Sequence, residues 1–388
     1  MVTTKYNIGI DASRNRSGGA RAHIIGIINE IVKDIPKEIY KIHIWSYPEL
    51  LDKLSDDISI VKHSPTALKR SILHQLKWQY FDLKKEAKKL NVDILLNTDA
   101  GSICRFKPSI TMSRDMLSYE KGEMKRFGFS MQRLRLFALR YVQNYSLNKS
   151  TAAVFLTQYA ANVIKESAGG VQQFKIIPHG VSDNFRISSN NGIWREKSNK
   201  TIKCVYVSNV DLYKHQWNVA LAFEHLRNEG YNVTIDFIGG GNGRAQKKFE
   251  EILLGIKNND FVSQYDFIAH DQLPTYLKDK DIFIFASSCE NMPNTLVEGM
   301  CTGLPIACSN RGPMPEVLKD AGVYFDPEDP ESIKIAIKTI IEDDKQRMRI
   351  AERSKNLSFQ YSWKRCAKET FDYLIEISNK IRYENKEK

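Results

Sequence analysis

The stretch from Phe283 to Asn310, FIFASSCENMPNTLVEGMCTGLPIACSN, holds the residues best suited to chemistry. An apolar strand ends at Ser287 and Ser288, Glu290 follows in a loop, and Pro293 suits a first helical position. Glu298 stands eight residues after Glu290, so both carboxylates face the carboxyl end of a strand. In a doubly wound sheet that is where ligands bind. The backbone N–H groups of Asn294, Thr295 and Leu296 at the helix start make an anion site suited to a diphosphate. Carboxylates on the loop and in the helix can accept hydrogen bonds from sugar hydroxyls. The alternative for the spacing alone is two solvated side chains. In YVSNVDLYKHQ a strand leads into a loop bearing Lys214, which can neutralise the charge growing on a diphosphate leaving group. A solvated lysine is the alternative there. In DASRNRSGGARAH, Gly18 and Gly19 lie between a strand and a helix. Paired glycines let backbone approach a ligand closely, and a tight turn is the alternative.

The elements that must position these groups follow a βαβ rhythm. Strand-like KYNIGID precedes a helix from about Ala20; then come YKIHIW, ISIVKH, a long polar helix, VDILLN, SITMS and TAAVFLT, with a helix over YAANVIKES. After FKIIPHGV the pattern dissolves into SDNFRISSNNGIWREKSNK, polar and aperiodic, which reads as an interdomain linker. The rhythm restarts with TIKCVYVSN, a helix from about His215, NVTIDFIGG, a helix from about Arg244, YDFIAH, DIFIFASS, PIACSN and GVYFDP. From about Pro330 the chain reads as consecutive helices. The expected fold is α/β, two Rossmann-like doubly wound domains. Their bounds are 1–182, a linker at 183–200, 201–360, and a last helix at 361–388 that could pack back on the first domain.

At 388 residues, 42% hydrophobic and 27% charged, the chain suits two soluble cores. No apolar run approaches the ~18 residues that span a bilayer. The N-terminus lacks the regions of a signal peptide, so a cytoplasmic location is expected. Six cysteines without a C-x-x-C pair read as free thiols. The net charge of +11 favours an anionic partner: a phosphorylated substrate, a membrane surface or nucleic acid. Nucleic acid is the least suited, because no zinc-finger spacing or RNA-binding signature occurs.

E-x7-E after an apolar strand, then EGMCTGLPIA and Glu316 in GPMPEV, resembles the family 4 retaining glycosyltransferases of GT-B fold. The resemblance implies two Rossmann-like domains facing across a cleft, the donor site in the second. It gives Glu290 contact with donor-sugar hydroxyls near the reacting carbon and Glu298 a hold on the ribose. It maps Lys214 onto the diphosphate-binding lysine, and Gly18 and Gly19 onto a pair that closes over the donor phosphate, Gly19 being the contact. Relatives usually carry an arginine about five residues before that lysine; here Asn209 stands instead, either as a neutral hydrogen-bonding group or leaving more of the charge to Lys214. Near the acceptor many relatives carry a His-Asp pair, which here reads Arg114 and Asp115. Asp115 capping or pairing locally is the alternative, and Arg114 could meet an acceptor phosphate. The implied reaction moves a sugar from a nucleoside diphosphate to an acceptor hydroxyl with retention. Catalytic roles fall to Glu290 and Lys214, and no cofactor beyond the nucleotide-sugar co-substrate is implied. The acceptor class is a sugar or lipid-linked saccharide, with surface polysaccharide or lipopolysaccharide assembly as the setting. The rival readings are a sugar-nucleotide epimerase and a weakened paralogue acting as a binding scaffold.

Other signals carry less. FIGGGNGRA lacks the third glycine of a dinucleotide fingerprint, and a strand-to-helix turn suffices. Asp279 and Asp281 form a D-x-D that reads better as helix-end solvation, so no metal is expected. Two basic stretches of the first domain, LKRSILHQLKWQYFDLKKEAKKL and EKGEMKRFGFSMQRLRLFALRYVQ, interleave apolar residues with Lys and Arg. They read as docking segments for anionic lipid or as ordinary helices with solvated basic faces.

Overall fold

The structure, a computed structural model, describes residues 5–186 and 201–387. The chain forms two compact units: Met1–Gly180 with Ser362–Lys388, and Val181–Tyr361. Most of the expected linker, residues 187–200, lies outside the described residues.

In the first unit Tyr6–Asp11 (β1), Ile39–Trp45 (β2), Ile60–His63 (β3), Ile94–Asn97 (β4), Ser109–Met112 (β5), Ala152–Phe155 (β6) and Phe174–Ile176 (β7) form one sheet. Its order is β3-β2-β1-β4-β5-β6-β7, and every pairing is parallel. β4, β5 and β6 are buried at every residue, as expected of parallel strands covered on both faces. The strand order reverses between β1 and β4, the topological switch point where such sheets open a crevice.

The helix Gly18–Ile31 follows β1. Ser17 caps it, its Oγ accepting from Ala20 N at 3.4 Å. His23, Ile24, Ile27, Ile28 and Ile31 repeat at helical spacing and face inward. The last helix, Trp363–Lys386, packs against this one and belongs to the first unit. The approach is close: a Cβ at Gly26 would lie 2.3 Å from Trp363 Cδ2.

The long polar helix expected after β3 is continuous from 72 to 89 but not uniform. Ile72–Lys77 and Leu83–Lys89 are α-helical, and Trp78–Asp82 forms a wider π-helical turn between them. Trp78 and Gln79, consecutive residues, are both buried there. An unbroken 3.6-residue helix would turn them about 100° apart.

In the second unit Ile202–Val207 (β8), Val233–Ile238 (β9), Val262–Tyr265 (β10), Ile282–Phe285 (β11), Ile306–Ser309 (β12) and Val323–Phe325 (β13) form a sheet ordered β10-β9-β8-β11-β12-β13, again parallel. Its switch point lies between β8 and β11. The strand expected over YDFIAH is displaced upstream: β10 pairs Val262–Tyr265 with Ile235–Ile238, and Phe267 projects into solvent. Among the described residues no helix is long and apolar enough to cross a membrane. All six cysteines are free thiols.

Candidate active site

Lys214 follows β8 and Glu290 follows β11, so the two loops flank the switch point of the second sheet. Lys214 Nζ forms an ion pair with Glu290 Oε1. Lys214 is buried, its ammonium 5.2 Å from the Tyr213 ring centre and 5.7 Å from that of Phe285. The loops are stitched together around the pair. Tyr206 OH donates to Lys214 O at 2.7 Å, and Ser288 N donates to Tyr213 O at 2.8 Å. His215, at φ 53°, shares a 2.9 Å hydrogen bond from Nε2 to Ser288 Oγ. A left-handed β-carbon residue is costly, and this bond fixes the turn that starts the helix Gln216–Asn228.

The glycines of FIGGGNGRA support this loop from beneath. Gly239 sits at φ +128°, and a Cβ there would lie 2.3 Å from Ser208 O; one at Gly241 would lie 2.6 Å from Val210 Cβ. The turn after β9 thus does more than reverse direction: it lies against the segment that carries Lys214. Asn209, in that segment, is exposed, and its carbonyl accepts from Gln216 Nε2 at 2.9 Å.

The helix Asn294–Thr302 follows the Glu290 loop. Pro293 takes the N-cap position, one residue before the expected first helical place, and offers no side-chain cap. Of the three amides expected to be free, that of Asn294 donates to Met292 O at 3.0 Å. A tight turn at Met292–Asn294 uses it up. Thr295 and Leu296 keep amides that meet no acceptor among the described residues. Asn294 and Glu298, four apart, lie on one helical face. Glu298 is buried; its Oε1 accepts from His270 Nε2 at 2.8 Å, and its Oε2 is buried with no partner among the described residues. Asn294 Oδ1 is likewise buried and unpartnered. Two buried acceptors thus lie on one face, each lacking a donor among the described residues, and each has the chemistry to accept from a hydroxyl group. Gly299 lets this helix lie close to the sheet, since a Cβ there would sit 2.8 Å from Phe283 Cδ1.

His270 is the residue that sequence reading missed. It lies between β10 and the short helix Leu273–Leu277, 28 positions from its partner, and nothing in its neighbourhood marks it. The Glu298 carboxylate raises its pKa above the usual 6.5, against partial burial. The Phe185 ring lies 5.1 Å away.

The family model for glycosyl transferases group 1 matches residues 191–357, nearly the whole second unit. The second unit is a group 1 glycosyltransferase module. O-antigen chain mannosyltransferase B of Escherichia coli is 30% identical over 106 residues, 27% of this chain and 28% of that protein. Protein CapJ of Staphylococcus aureus is 26% identical over 227 residues, 57% of this chain and 54% of that protein. The chain therefore spans at most about half the length of either. Among solved structures, sucrose-phosphate synthase from Thermosynechococcus elongatus superposes with a TM-score of 0.77 at 13% identity, covering 96% of this chain and 99% of that one. Alr3699/HepE of Anabaena, solved in complex with UDP and glucose, gives 0.70 at 16% identity, covering 96% and 100%. The fold is GT-B.

Outside the glycosyltransferase module, four expected site residues belong to the first unit. Gly18 and Gly19 open the helix after β1, exposed and outside the left-handed region, so no tight turn needs them. A Cβ at Gly18 would meet nothing within 4 Å. Arg114 Nη1 donates to Ala20 O at 3.2 Å, and burial lowers its pKa to about 10 while Asp99 counters. Asp115 is engaged locally: Leu117 N donates to Oδ1 at 3.1 Å and Gln143 Nε2 to Oδ2 at 3.4 Å, and burial raises its pKa. The D-x-D reading needs a correction in its second half. Asp279 is exposed, but Asp281 is buried and accepts from Lys203 N at 2.9 Å, joining the starts of β8 and β11. A strand-edge amide binds it in place of solvent.

Proposed function

We propose that this protein transfers a sugar from a nucleoside-diphosphate sugar to an acceptor hydroxyl, with retention at the anomeric carbon. The observation that carries the reading is the pairing of Lys214 with Glu290 across a switch point, beside a helix whose Asn294 and Glu298 present buried, unpartnered acceptors. Glu298 Oε2 and Asn294 Oδ1 accept from ribose or sugar hydroxyls, which supply the missing donors. Lys214, released from Glu290, moves onto the diphosphate, joined by the amides of Thr295 and Leu296. Glu290 then accepts from the donor-sugar hydroxyls near the reacting carbon. The bond from the anomeric carbon to the diphosphate oxygen breaks with its electron pair on the oxygen. The acceptor oxygen attacks the same face, and its proton passes to that departing oxygen. No covalent nucleophile and no metal enter this scheme, and Asn209 contributes a neutral hydrogen bond to the phosphate side. In this reading Gly18 and Gly19 of the first unit are assigned to the donor phosphate, and Arg114 and Asp115 to the acceptor, a sugar or lipid-linked saccharide.

The names of the O-antigen mannosyltransferase and CapJ support surface polysaccharide assembly as the setting, and the UDP and glucose bound to Alr3699/HepE support a nucleotide-sugar donor. A thermal-shift screen with UDP-, GDP-, ADP- and CMP-sugars, followed by transfer assays, tests the reading. Stabilisation by one nucleotide that disappears in Lys214→Ala and Glu298→Ala supports it. No response to any nucleotide overturns it, and binding without turnover selects the scaffold reading.

A further inference from the structure

The helix Met131–Lys149 in the first unit is inverted in polarity. Its inward residues are Leu136, Gln143, Ser146 and Leu147, half of them polar. Its outward face, with the residue just before the cap, carries Phe129, Met131, Leu134, Phe137, Tyr141 and Tyr145, all exposed. Phe129 is fully exposed, and Met131 and Tyr141 are 79% and 75% exposed. At 3.6 residues per turn the five helical positions fall within about 120° of arc, and they extend about 21 Å along the axis. A contiguous apolar stripe facing away from the core marks an interaction surface.

Charge identifies the partner. No acidic residue occurs between Glu123 and Glu166, while Lys125, Arg126, Arg133, Arg135, Arg140 and Lys149 do. The cations lie beside the rings. Arg133 Cζ is 5.7 Å from the Phe129 ring centre and 5.8 Å from that of Phe137, Arg140 Cζ is 5.3 Å from Phe137, and Lys149 Nζ is 5.9 Å from Tyr145. Aromatic rings at the depth of guanidinium groups, on a convex helix face, match the boundary between acyl chains and anionic headgroups. A second copy of the chain fits poorly, because it would bring two acid-free, basic faces together.

We infer that the Met131–Lys149 helix docks this protein on an anionic lipid bilayer, inserting Phe129 and the outward apolar stripe while the flanking arginines meet the headgroups. The inference does not depend on the proposed donor chemistry. Flotation of the full chain with vesicles of phosphatidylcholine alone, or with phosphatidylglycerol added, tests it. The expected result is at least tenfold stronger association with the anionic vesicles, weakened by salt. The combined variant Phe129→Ser, Leu134→Ser and Tyr141→Ser should lose at least tenfold of that association while keeping the wild-type circular dichroism spectrum and nucleotide response. Arg133→Glu with Arg135→Glu should lose it as well. Equal association with both vesicle types, or none with either, overturns the inference. So does a dimer in sedimentation that the apolar variant dissolves, which would assign the stripe to a second copy. Failure of the donor reading would instead appear as absent nucleotide response with flotation intact.

Discussion

The two sheets reverse strand order in the same way, yet their switch points are filled differently. In the first unit the groups between β1 and β4 satisfy one another. Asp11 Oδ1 accepts from Ser13 Oγ at 2.6 Å and its Oδ2 from Gln79 Nε2 at 2.6 Å; Ser102 Oγ donates to Asn97 Oδ1 at 3.1 Å, and Thr98 Oγ1 to Asn15 Oδ1 at 2.7 Å. Burial raises the Asp11 pKa while the Ser13 and Gln79 bonds pull it back. In the second unit Lys214 and Glu290 pair with each other, and among the described residues Glu298 and Asn294 each leave an acceptor unmet. A closed polar network stiffens a fold. An incomplete one leaves hydrogen-bonding capacity that a ligand can fill. The same topology therefore supplies a brace in one unit and unfilled acceptors in the other.

The sharpest way to break this contrast is turnover. Glu290→Gln and Lys214→Ala should each lower kcat about 10²–10³-fold in a transfer assay with the melting temperature little changed. An equal loss in Ser13→Ala or Gln79→Ala, at the switch point of the first unit, would erase the distinction between the units. Asp11→Ala should do the opposite. It takes the acceptor away from Ser13 Oγ and Gln79 Nε2, so chemical denaturation should show a loss of ~2–3 kcal/mol with nucleotide binding unchanged. Glu298→Ala should weaken nucleotide binding by calorimetry about tenfold, or ~1.4 kcal/mol. A nucleotide stripped of its ribose hydroxyls should bind wild type and variant alike; continued discrimination would move the Glu298 contact elsewhere.

The smallest effect concerns pH. His270 has a raised folded pKa, so its pairing with Glu298 contributes stability fully present below the ordinary 6.5 and lost as pH rises through the raised value. His270→Gln should flatten the melting temperature between pH 6 and 8. The change stays below ~1 kcal/mol, because the imidazole is 62% exposed and screened by water. A wild-type curve that rises over that interval would contradict the assignment.

Much of the fold was legible because parallel strands and amphipathic helices are written in local periodicity. The β8, β9 and β11 to β13 segments and the glutamates on either side of Pro293 could be read as they stand, since strand, loop and helix follow within a few residues. The YDFIAH strand was misplaced because its apolar pattern fits two registers, and only pairing with β9 chose Val262–Tyr265. The long helix before Asn91 hid a π-helical turn, since no local rule demands that Trp78 and Gln79 both face inward.

By itself the sequence determined which residues could carry charge to a phosphate and which segments would lie at strand ends, because both depend on residue type and near-neighbour spacing. Tertiary structure alone decided that Lys214 meets Glu290, that Glu298 is held by His270 on one oxygen and left open on the other, and that Asp281 is tied to Lys203. Those pairings join positions 28 to 78 residues apart. They exist because a parallel sheet returns each crossover to the same edge, where distance along the chain no longer measures distance in space.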